Sequence, residues 1–173
     1  MSQIEEKIEL FLKNPSADEE SFWDSGALVW VDWKDFDESI VEYFNDYLLE
    51  EDKINVELVK NDKPRCVDIF LIKDEVKKAV PYDVERTDRD TTLKAVQDFI
   101  APKYQIRWYM DSLGGDTLAF CLLPTEKWLR LEKEYGEEKV TYYFAPLLHD
   151  SVMFEMDIDE IFDLLEKRKQ SVH

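Results

Sequence analysis

The chain has 173 residues, 45% of them apolar and 13% aromatic, enough to build one sizeable core, so a single domain over 1–173 is expected. Forty acids against twenty-two bases give a formal charge of −18, which repels nucleic acid and anionic membrane and attracts basic proteins or cations. No stretch approaches the roughly 20 apolar residues that cross a bilayer, and the start (Met1, Ser2, Gln3, Ile4 among Glu5, Glu6 and Lys7) lacks the basic-then-apolar order of a secretory signal, so the cytoplasm is the expected location.

In chain order, Ile4, Ile8, Phe11 and Leu12 fall on one helical face and predict a helix over 2–13, stopped by Asn14-Pro15. Ala27 to Trp33 reads as a strand, and its unbroken run Leu28, Val29, Trp30, Val31 predicts burial on both faces and a central place in a sheet. Asp37 suits the N-cap of a second helix to about Glu51, with Ile40, Val41, Phe44, Tyr47 and Leu48 facing the core. Glu38, Glu42, Asp46 and Glu50 recur at every fourth residue along another face.

Ile54, Val56 and Leu58 alternate with polar residues, and Asn61-Asp62-Lys63-Pro64 turns the chain into a strand from Cys66 to Ile72, a hairpin that Val76 to Val80 extends. Asp90 or Thr91 caps a third helix that carries Leu93, Val96, Phe99 and Ile100 and ends at Pro102. A second hairpin pairs Tyr104–Met110 with Thr117–Leu123 around Gly114-Gly115. Thr125 caps a fourth helix with Trp128, Leu129, Leu131 and Tyr135 on its apolar face, closed by Gly136. Val140 to Phe144 reads as a strand. Asp157 with Glu160 opens a last helix whose core face is Ile161, Phe162, Leu164 and Leu165. Strands joined by tight turns and helices at both ends predict an α+β fold, an antiparallel sheet of about five to seven strands with helices packed on it.

Cys66 and Cys121 both sit in apolar runs and read as reduced core residues, since no secretory signal favours a disulfide and no nearby histidine favours zinc. Of the two histidines, His149 and His173, only His149 beside Asp150 could serve as a catalytic base, and it reads as a loop residue. Four glycines in all, with no Walker or Gly-x-Gly-x-x-Gly sequence, argue against a nucleotide loop. Glu85, Asp88 and Asp90 interleave with Arg86 and Arg89 and predict local ion pairing, and Asp111 and Asp116 flank a hairpin turn without the spacing of a calcium loop. No catalytic residue, metal or cofactor is called for.

From Ile106 to Leu147 the chain carries an Asp-Ser-Leu-Gly-Gly-Asp-Thr turn (111–117), a Leu-Pro-Thr-Glu-Lys-Trp helix start (123–128) and a Glu-Tyr-Gly stop (134–136). This quarter of the chain resembles an uncharacterised family of small bacterial cytosolic proteins, which brings no activity and no site residue with it. Separately, Asp68 followed by Glu75-Val76-Lys77 looks like the Asp…Glu-x-Lys core of restriction-type nucleases. The resemblance implies a divalent metal held by Asp68 and Glu75, with Lys77 steadying the attacking water or the charge on phosphate. The short spacing, the missing helical acid and the acidic composition favour a structural role for all three.

The charge is unevenly spread. Between Asp18 and Asp52 thirteen acids face one base, Lys34, so this segment carries −12 and the other 138 residues only −6. It also holds eight large rings, too many for a solvated acidic tail. Trp30 and Phe44 belong to the core, while Trp23, Trp33 or Phe36 could anchor a partner whose cations meet Asp35, Glu38, Glu42, Asp46 and Glu50. The expected function is non-catalytic binding of a basic protein, in its most concrete form inhibition of a basic toxin or nuclease as an immunity protein achieves it. The alternatives are a metal-dependent phosphodiesterase using Asp68, Glu75 and Lys77, and a regulatory domain for an unknown small ligand.

Overall fold

The chain adopts the α+β architecture, with seven strands divided between a four-stranded and a three-stranded antiparallel sheet. The computed structural model describes residues 2–171; Met1, Val172 and His173 lie outside it. The elements are α1 (Ser2–Lys13), α2 (Pro15–Trp23), β1 (Val29–Asp32), α3 (Asp37–Asn45), β2 (Asn55–Lys60), β3 (Val67–Lys73), β4 (Val76–Ala79), α4 (Arg89–Ile100), β5 (Tyr104–Tyr109), β6 (Thr117–Pro124), α5 (Thr125–Tyr135), α6 (Glu137–Tyr143), β7 (Phe144–Pro146) and α7 (Ile158–Gln170). Among these residues no helix is long and apolar enough to cross a membrane.

The larger sheet runs β1-β6-β5-β7 and the smaller β2-β3-β4, and both expected hairpins form, pairing Ile106 with Leu122 and Leu58 with Ile69. β6, like its neighbour β5, is buried on both faces. Its Leu118, Phe120 and Leu122 join Ile40, Phe44, Leu93, Val96, Ile69 and Leu71 in one core, beneath α3, α4 and the small sheet. Its Ala119, Cys121 and Leu123 join Ile8, Phe11, Trp128, Leu131 and Val140 in a second, beneath α1, α2, α5 and α6. This period of two sends alternate side chains to opposite layers.

Several expectations are corrected by packing. β1 is an edge strand, not a central one; its apolar run is explained because Val29 and Val31 enter one core while Trp30 packs beside the other. Pro15 does not merely stop a helix but opens α2 at its first turn, where a missing N–H costs nothing. Val140 and Tyr143, read as strand, lie on α6 three residues apart and face one core; Gly136, at φ 97°, lets the chain turn sharply and start this new helix. α4 is capped two or three residues earlier than expected, by Asp88, whose carboxylate accepts from the Thr91 amide at 2.7 Å. Cys121 is core, but Cys66 is exposed, sitting at φ 67° in the turn before β3.

Where β7 ends, the side chain of Gln97 on α4 takes its place beside β5, donating to the Tyr104 carbonyl at 3.2 Å and accepting from the Ile106 amide at 2.5 Å. Asp90, also on α4, is buried and accepts the backbone N–H groups of Met153, Phe154 and Glu155 at 2.8–3.2 Å. That carboxylate holds the segment leading into α7. α7 itself buries no residue completely, so its expected core face is only half met: Ile161, Leu164 and Leu165 are half-buried and Phe162 is exposed.

Candidate functional site: an acidic aromatic surface around the β1–α3 turn

The turn after β1 is built by its own acids. Asp32 accepts from the Lys34 amide at 2.9 Å and from the Thr117 hydroxyl at 2.9 Å, and Asp35 accepts from the Asp32 amide at 2.8 Å. The Lys34 and Thr117 bonds hold the Asp32 carboxyl below its ordinary range. So tight a turn leaves the intervening side chain pointing outward, and Trp33 is 52% exposed. Phe36 follows in extended conformation as the residue before α3 and is 73% exposed.

Asp37, expected as the cap, is the first residue of α3 and turns inward instead. Its carboxylate is gripped by Arg89 through two bonds of 2.9 and 2.7 Å and by the Thr92 hydroxyl at 2.7 Å, while Arg89 also donates to the Trp33 carbonyl at 2.9 Å. The planar guanidinium thus fixes the helix start and the tryptophan turn together. Sequence reasoning missed this clamp, because a contact across fifty-two residues leaves no periodic trace.

Ile40, Val41 and Phe44 bury one side of α3, so Glu38, Glu42 and Asp46 lie along the other, Glu38 half-buried and the latter two exposed. None of the three makes an ion pair among the described residues. Glu50 does not continue the row. α3 ends at Asn45, whose side-chain amide bonds the backbone of Ile54 at 2.7 and 2.8 Å and bends the chain, leaving Glu50 in a 3-10 turn beside Lys53 at 3.0 Å.

Trp23 is not brought to Trp33. It closes α2, stacks near Trp30 with ring centroids 4.8 Å apart, and lines a separate cleft with Glu19, Glu20 and Asp24. Trp33 instead lines an open groove of about 380 Å³ with Leu113, Phe154, Ile158 and Ile161. The α7 side of that groove was invisible to a reading that assigned the helix's apolar residues to the core. The usable signal was the width of its apolar stripe, Ile158 to Leu165, which exceeds what one docking face needs.

No family model, curated protein or solved structure matches the chain.

The restriction-type constellation is dispersed. Asp68, near the start of β3, is paired with Arg65, which with Asn61 holds its carboxyl below the ordinary range. Glu75 is exposed in the β3–β4 turn, and at about 3.4 Å per residue the five steps from Asp68 to Lys73 put that turn about 17 Å away. Lys77 pairs with Glu57 and lies 4.7 Å over the Phe70 ring. Among the described residues no group of three or more His, Cys, Asp or Glu side chains is placed to hold a metal ion.

Several other acids have internal partners. Asp52 is buried and accepts from Tyr104 and Lys103 at 2.6 Å and Lys73 at 3.0 Å. Arg86 pairs with Glu155 rather than with its sequence neighbours, and Asp111 with Arg168. His149 is exposed in the loop after β7.

Proposed function

We propose that this protein is a non-catalytic binding module for a basic protein, and that its activity is to cover a cationic surface, as an inhibitor of a basic toxin or nuclease would. The observation that carries this reading is the juxtaposition of exposed Trp33 and Phe36 with the unpaired carboxylates of Glu38, Glu42 and Asp46. The acids with structural partners, Asp37, Asp52 and Glu50, are matched by Arg89, by Lys73 with Lys103, and by Lys53.

Glu38 suits the first turn of α3, but Glu42 and Asp46 bring the helix no such gain. Like charges four residues apart on a helix destabilise it by about 0.2–0.5 kcal/mol per pair. Asp46 at the C-terminal end of α3 also opposes the helix dipole, and the last turn carries no base. A cationic partner would relieve both costs, and the two rings supply the contact area that charge alone does not. Asp35 is half-buried and committed to the turn, so it shapes this surface.

The test is capture of partners from native cytosol by the wild type and by Glu38→Lys/Glu42→Lys/Asp46→Lys, then association kinetics of a captured partner at two salt concentrations. Steered association should slow on charge reversal and at higher salt, because exposed charges are screened beyond about 10 Å at 0.1 M. Identical captured sets, or rates indifferent to salt, would reduce the acidic face to a solubilising surface.

A further inference from the structure

Two acidic stretches far apart in the sequence meet across the Trp33 groove. One is the β1–α3 turn. The other is the segment 148–166, which holds seven acids and no Lys or Arg and opens α7 with Asp157, Asp159, Glu160 and Asp163. Between them lie Trp33, Leu113, Phe154, Ile158 and Ile161, with Asp116 as the charged member of the lining. On α7, Ile158 at the groove and Phe162 one turn on are 70% and 65% exposed.

The groove is held open by its surroundings. Its floor is the β5–β6 turn, where Gly114, at φ 92°, sits in ordinary contact range of Ile161 and Leu165, each 3.8 Å from where a Cβ would stand. Its α7 wall is fixed at one end by the buried Asp90 carboxylate, which grips residues 153–155. At the other end Arg168 donates to the Tyr142 carbonyl at 2.7 Å and stacks 4.0 Å over its ring. Both ends are tied down by polar contacts while Ile158 and Phe162 between them stay uncovered.

We propose that this groove is the anchor site of the basic partner, and that it receives one or two large apolar side chains from a Lys- and Arg-rich segment. This rests on the reading given above that the partner is basic. The charge around the groove identifies the occupant: an acyl chain or a neutral apolar peptide would fill it but leave the net negative charge of Asp116 and of the acid-rich 148–166 segment unmatched. A basic segment with apolar anchors satisfies both. The division of labour is common at interfaces, with buried apolar anchors setting affinity and charges setting encounter rate and register.

Two fluorescent synthetic peptides of equal positive charge test it by anisotropy, one interspersing Lys with Leu and Trp, the other replacing Leu and Trp by Ser. The apolar-bearing peptide should bind the wild type at least about tenfold more tightly. Trp33→Ala and Ile158→Ser, both at exposed positions, should each remove about tenfold of that affinity and leave the Ser peptide unchanged. Equal affinity for the two peptides, or indifference to both substitutions, overturns the groove while leaving the acidic surface standing. Failure of both peptides to bind at low salt overturns the basic-partner reading itself. A concentration-dependent dimer of the chain alone that Trp33→Ala abolishes would assign the groove to a second copy and overturn the proposal.

Discussion

Asp52 is the most heavily partnered buried carboxylate that the structure supports by side chains alone, and replacing it by asparagine should be costly at neutral pH and much less so in acid. Its side chain is 7% exposed and accepts from Lys103, Tyr104 and Lys73, which tie the turn after α3 to β5 and β3. The lysines are 34% and 55% exposed and can turn to water when the charge is gone, so each contributes about 0.2–1 kcal/mol. The Tyr104 hydroxyl is buried, and its bond to a charged acceptor is worth about 1.5–3 kcal/mol, part of which a neutral amide oxygen retains. Asp52→Asn should therefore cost about 2 kcal/mol at pH 7.

The bonds from Lys103 and Tyr104, in that order, hold the Asp52 carboxyl well below its ordinary range. A depressed folded value means that the stabilisation is complete above the unfolded value of about 3.9 and is lost as pH falls through the folded one. By pH 3 the unfolded wild type takes up a proton that the folded one refuses, and roughly 1 kcal/mol of the gap between the two proteins should vanish. Urea unfolding followed by tryptophan fluorescence at pH 7 and pH 3 measures it. A gap under about 0.5 kcal/mol at pH 7, or one that does not narrow in acid, would refute the reasoning.

Arg89→Met should destabilise by about 3–5 kcal/mol, since it strands the buried Asp37 carboxylate, and adding Asp37→Asn should restore part of the loss in thermal unfolding. A double variant no better than the single one would show that the pair is not the source. Native protein treated with a thiol reagent should be modified at exposed Cys66 and not at Cys121, whose thiol burial pushes up, until denaturant is added. Equal labelling rates would contradict the placement of Cys121 between sheet and helices.

Local signals carried far in this chain. α1 runs over the residues that Ile4, Ile8, Phe11 and Leu12 mark, Asp157 caps α7 through the Glu160 amide at 2.8 Å, and both hairpins turn where Asn61 and Gly114 said they would. What failed was decided by distant packing. Nothing in Val140-Thr141-Tyr142-Tyr143 distinguishes a strand from a helix until Trp128 and Phe11 supply the face it packs on. The acidic face was legible as Glu38, Glu42 and Asp46, because helical spacing is a one-dimensional pattern. Its extension across the groove was not, because Trp33 and Ile158 meet only through tertiary structure, and Trp23 and Glu50 were grouped with the site by nearness in sequence alone.

Gln97 bears on how this protein can be recognised. A strand edge is a row of free donors and acceptors onto which any extended peptide can zip, with little regard for its side chains. Along β5 beyond the short β7, the Tyr104 carbonyl, the Ile106 amide and the Ile106 carbonyl are already bonded, the first two by Gln97 and the third by the Leu147 amide at 3.4 Å. That stretch of backbone is closed to strand addition by one side chain and one loop amide. Gln97→Leu would leave the Tyr104 carbonyl and the Ile106 amide buried without partners, at a cost of about 1–3 kcal/mol each, so α4 shuts this edge by covering it as well as by bonding it.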